Sequence, residues 1–117
     1  MTFRSPLRNE WDRVVPQFQA MAKAPGRDGV MARMMLAVMP PYIDTFESER
    51  DRHTAPRDFF EAVAATSGMM IEEAIEKQKH HIPPGQALHG MLQLIHDVVR
   101  PRVLTQKQSR LIVPGDI

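Results

Sequence analysis

Apolar residues recur along most of this chain at spacings of three and four, the signature of a single helical face. Leu7, Trp11, Val14, Val15, Phe18 and Met21 make the first such face, between about Pro6 and Ala24. Ser5 is placed to cap that helix, with Pro6 at its first position. Pro16 interrupts the run. It removes a backbone donor, so the pattern predicts a kink or a later start, for which Asn9 would be the cap. Residues 24–29 (Ala-Pro-Gly-Arg-Asp-Gly) read as a loop, and Asp28 as the cap of the next helix.

The next ten residues, Val30–Met39, carry one charge, Arg33, and four methionines, Met31, Met34, Met35 and Met39. A helix apolar almost all round has to be covered on nearly every side, either at the centre of a helical domain or against another protein. In a core position, Val38→Asp would strand an unpaired charge and cost several kcal/mol. Pro40 and Pro41 predict an end or a sharp bend. Tyr42, Ile43 and Phe46 give a short further apolar face. Residues 47–53 are polar throughout and read as an exposed helix end or a solvated linker.

A long helix is predicted from about Pro56 to His80, with Thr54 as cap. Its stripe is Phe60, Val63, Ser67, Met70 or Ile71, and Ala74, and Glu73 and Lys77 form an i,i+4 pair. Gly68 in its middle predicts either close approach of another helix or a break. Ile82-Pro83-Pro84-Gly85 is a firm stop. The last long helix runs from about Gln86 to Val99, with Leu88, Met91, Leu92, Ile95, Val98 and Val99 as its buried face. Arg100-Pro101-Arg102 ends or kinks it. Residues 105–110 are polar, and Leu111-Ile112-Val113 is an isolated apolar triplet on that tether. No alternating strand pattern appears. The expected fold is all-α: an irregular bundle of four to five helices with proline-rich turns, residues 1–104 forming one helical domain and 105–117 an extended C-terminal tail.

Composition adds exclusions. At 117 residues, 43% hydrophobic and 25% charged, the chain resembles an ordinary globular domain. It has no cysteine, which removes disulfides, thiol nucleophiles and cysteine-ligated metals. The formal charge of +1 is too mild to imply nucleic-acid binding by itself. Met1–Pro6 lacks the apolar run of a secretory signal. Val30–Met39 is about half the roughly 20 residues needed to span a bilayer. A cytoplasmic, non-membrane protein is expected.

Chemistry is sparse. No phosphate loop, nucleophile elbow or zinc-peptidase motif occurs, so no catalytic residue and no cofactor is expected. His80, His81, His89 and His96, with Glu76, could converge on a divalent metal if the last two long helices pack antiparallel. The spacing matches no known ligand motif, and a solvated flank with ordinary surface histidines is the favoured reading. Arg100, Arg102, Lys107 and Arg110 form a basic stretch that could contact phosphates. No aromatic interleaves with it, and a solvated tail accounts for it. Methionine at helical spacing is the adaptable filler of cores and of partner-accepting surfaces. The reading favoured by these residues is a small non-catalytic protein-binding protein, an adaptor, assembly factor, regulator or inhibitor. Met31, Met34, Met35, Val38 and Met39, with Leu111, Ile112 and Val113, would contact another protein, including a second copy as a homodimer. The metal or small-ligand reading and the nucleic-acid reading stand behind it.

Overall fold

The computed structural model describes the backbone of residues 4–110 and the side chains of residues 4–104. Over this span the fold is all-α, with four helices and no strand. They are α1 (Pro6–Met21), α2 (Gly26–Asp51), α3 (Pro56–Lys77) and α4 (Pro84–Arg110). The chain divides into two compact units at the Phe59–Phe60 junction.

The first unit is a hairpin of α1 and α2. Ser5 starts α1 as the sequence predicts: its hydroxyl accepts from the Arg8 backbone N–H at 3.1 Å, and Pro6 follows it. Pro16 neither delays nor ends the helix, which runs unbroken to Met21. The α1–α2 turn is tight. Gly26 adopts a φ of 73°, a left-handed conformation that glycine reaches without a Cβ penalty. Gly29 is buried where a Cβ would lie 1.8 Å from the Ala24 carbonyl oxygen. Arg33 donates from Nη1 to the Ala22 carbonyl at 2.8 Å and ties the turn to α2. Asp28 is not the cap: α2 begins after Pro25 with no side-chain cap bond, and Asp28 lies in the first turn, where its charge favours the helix dipole.

Pro40 and Pro41 do not end α2. Ala32 before them and Ile43 after them are both fully buried, so packing fixes the helix on each side of the two forfeited hydrogen bonds. The polar run 47–53 is the helix end. His53 takes a φ of 59°; its N–H donates to Arg50 O, and that of Thr54 donates to Glu49 O. This is a Schellman closure with histidine where glycine is usual. Thr54 uses its hydroxyl to donate to Glu49 Oε1 at 2.8 Å. Trp11 and Ile43 are the large buried apolar side chains of the unit, and Trp11 stacks on Phe18 with ring centroids 5.5 Å apart. Phe59, in the first turn of α3, meets Phe46 edge-on at 5.6 Å and Tyr42 at 6.2 Å.

The second unit holds the rest of α3 and α4, joined by residues 78–83. α3 continues through Gly68, and a Cβ there would meet nothing within 4 Å. Neither a break nor a close helix approach occurs at that glycine. Glu73 and Lys77 pair at 3.5 Å as expected. α4 continues through Pro101, so residues 105–110, expected as tail, have helical backbone. Leu111, Ile112 and Val113 lie outside the described residues. No helix among those residues is long and apolar enough to cross a membrane.

Candidate functional site

α2 presents two unlike sides. Gly29, Ala32 and Ile43 share one side and are buried. At about 100° per residue, Val30, Met34, Val38 and Met31 fall on the other. These four are 48%, 52%, 40% and 46% exposed. Leu36 and Met39 fall on the buried side and Met35 at its border, and all three are half-buried. Of the two placements the sequence leaves open, burial at the centre of the chain's own helical domain is corrected, since this side of α2 is exposed. Helix α1 covers one side, and a single neighbouring helix can cover no more. Of the five residues singled out in this segment, Met35 and Met39 are partly covered, while Met31, Met34 and Val38 face solvent. Val38 is thus not a core position.

A polar clamp holds the unit that carries this face. Glu47 Oε2 accepts from the Ser5 backbone N–H at 3.1 Å and from the Ser5 hydroxyl at 2.7 Å. Arg8 Nε donates to both oxygens of Glu47, at 2.9 and 3.0 Å, and Arg8 also pairs with Asp44. Ser5 is fully buried and Glu47 half-buried. The Arg8 hydrogen bonds, followed by those of Ser5, pull the Glu47 carboxyl from its ordinary 4.5 down to about 2. The Arg8 guanidinium is held charged by Glu47 and Asp44. The sequence reading marks Ser5 as a cap but assigns no role to Arg8 or Glu47. The usable signal was a carboxylate pair, Asp44 and Glu47, spaced to share one helix side.

The second unit contains an open groove of about 580 Å³ near the α3–α4 connection. Ala74, Ile75 and Ile82 line it with Ala87, Gly90 and Met91. His89 also lines it, but His80, His81 and His96 do not. All four histidines are exposed. Among the described residues, no group of three or more histidines and carboxylates could hold a metal ion. Glu76 instead pairs with Lys79, and His96 Nδ1 lies 3.6 Å from Asp97. Arg100 and Arg102 are exposed on α4. The side chains of Lys107 and Arg110 lie outside the described residues.

The buried face expected for α4 is also corrected. Met91 is half-buried, whereas Leu88, Leu92, Ile95, Val98 and Val99 are exposed at 40–60%. Periodicity identified which residues share a side but not whether a neighbour lies there. No protein-family model, curated protein or solved structure matches the chain.

Proposed function

We propose that this chain works by binding another protein, through the apolar side of α2 formed by Val30, Met31, Met34 and Val38. Its role would be that of an adaptor, assembly factor, regulator or inhibitor rather than a catalyst. The observation that carries the reading is a row of large apolar side chains in solvent, on a helix whose opposite side is anchored by Ala32 and Ile43. Contiguous exposed apolar surface on a soluble domain marks an interaction site. Methionine suits such a surface because its unbranched, polarizable side chain adapts to a partner's contour. The C-terminal triplet Leu111-Ile112-Val113 is proposed as a second contact. Self-association as a homodimer belongs to the same reading.

The test is paired affinity capture from extract of the native host, with wild-type chain and Met34→Asp as baits. Proteins retained by the wild type and lost by the variant support the reading. Identical captured sets with both baits overturn it.

A further inference from the structure

No described side chain of α4 is buried, although the helix is rich in large apolar residues. Between Gln86 and Arg100 its residues separate cleanly around the axis. At about 100° per residue, every apolar side chain there falls within one half of the circumference. The other half takes Gln86, His89, Gln93, His96, Asp97 and Arg100. Leu94, Val98, Ile95, Val99 and Leu92 follow one another across the apolar half, and each is at least 40% exposed. The groove shared with α3 takes only one edge of that half, at Ala87, Met91 and Leu94. A partner helix covers a seam of about two positions in seven, which is much narrower. Apolar side chains spread over half the circumference fit a plane, with the helix lying along it.

Charge identifies the plane. α4 carries one acidic residue, Asp97, against four basic ones, Arg100, Arg102, Lys107 and Arg110, all of which follow Val99. The chain's own surfaces do not complement that cluster. A second copy of α4 would bring the same basic residues, and residues 1–59 hold nine Lys or Arg against eight Asp or Glu. α3 is acidic, but Glu72, Glu73 and Glu76 lie on its other side from Ala74, Ile75 and Gln78, the α3 residues that line the groove. We propose that α4 docks along an anionic lipid surface, its apolar half at the boundary of acyl chains and headgroups, with Arg100 and Arg102 against the headgroups. This surface is separate from the one on α2, and the inference does not depend on the protein-binding reading. It departs from the non-membrane expectation without requiring a helix that crosses the bilayer, since a helix lying in the boundary does not cross it.

The chain has no cysteine, so one introduced cysteine takes a polarity-sensitive fluorophore at a single place. Leu92→Cys carries it on the apolar half of α4 and Gln93→Cys on the polar half. Each full-length chain is mixed with vesicles of phosphatidylcholine alone and of phosphatidylcholine with phosphatidylserine, and bound chain is measured by sedimentation. Circular dichroism identifies a variant that fails to fold, and Ile95→Cys then takes the place of Leu92→Cys. The expected outcome is retention on the phosphatidylserine vesicles alone, falling as salt rises, with a blue shift at Leu92→Cys and none at Gln93→Cys. Arg100→Gln and Arg102→Gln should each weaken retention about fivefold. Met34→Asp should leave it unchanged. No retention, equal retention on both kinds of vesicle, or an unshifted fluorophore at Leu92→Cys overturns the proposal. A response to soluble polyglutamate without one to vesicles also overturns it and gives the surface to an acidic protein. Retention lost in Met34→Asp overturns it too, moving the lipid contact to α2.

Discussion

Glu47 Oε2 lies 2.7 Å from the hydroxyl of Ser5, 42 residues away in sequence. One serine thus caps α1 and, through the same hydroxyl, anchors it to the second half of α2. Ser5→Ala removes both bonds. Loss of the cap alone costs about 1 kcal/mol, and Ser5 is fully buried, so the chain should unfold at lower urea with an unchanged slope. Glu47→Ala should destabilise more, since it leaves the Ser5 donors without their acceptor and Arg8 with Asp44 alone. Equilibrium urea unfolding of the two variants checks the order.

The same carboxylate sets an acid limit. Glu47 is held at about 2 in the folded chain against an ordinary 4.5. A depressed folded value means that the unfolded state binds the proton more readily. The stabilisation is complete above about 4.5 and is lost as the pH falls towards 2. Thermal unfolding followed between pH 6 and pH 2 should show this loss, and Glu47→Gln should flatten that part of the curve.

Two glycines separate close contact from open space. At Gly29 an added Cβ would lie 1.8 Å from the Ala24 carbonyl, a backbone atom that cannot swing aside. Gly29→Ala should cost at least about 2 kcal/mol, as overpacking does. At Gly68 nothing lies within 4 Å and the helix is exposed. Gly68→Ala should stabilise α3 by up to about 1 kcal/mol, the propensity difference between the two residues. Melting temperatures of opposite shift would establish both.

His53 carries a φ of 59° at the end of α2. A side chain in that conformation costs about 1–2 kcal/mol, which glycine avoids. His53→Gly should therefore raise stability, by up to about 1 kcal/mol once the greater freedom of glycine in the unfolded chain is subtracted. Differential scanning calorimetry measures the shift.

What the sequence conveyed was local. The cap at Ser5, the Glu73–Lys77 pair and the all-α class follow from interactions within a few residues, and each is present. Pro16, Pro40, Pro41 and Pro101 each predict a kink or a helix boundary, and none of the four marks a boundary. A proline costs about 3 kcal/mol inside a helix, a penalty that tertiary anchoring can offset, and Ala32 and Ile43 provide such anchoring around Pro40 and Pro41. The exposure of Met34 on α2 and of Leu88, Leu92 and Ile95 on α4 was not legible for a related reason. Side-chain spacing is a property of one helix, whereas burial is a property of its neighbours.

Val38 connects stability to function. At 40% exposed it does not sit in a core, so Val38→Asp should leave the melting temperature nearly unchanged while abolishing capture of a partner. A loss of several kcal/mol would instead return Val38 to the interior. Circular dichroism melts alongside binding assays distinguish the two.

The central claim is that Met31 and Met34 are the contact surface. It is tested most directly by methionine-methyl NMR with a soluble paramagnetic probe, comparing the chain alone with the chain bound to the protein it captures. The account predicts that the methyl signals of Met31 and Met34, strongly broadened in the unbound chain, become protected in the complex, while Met69 and Met70 on α3 stay as accessible as before. Methyl groups of Met31 and Met34 equally open to the probe in both states would contradict it.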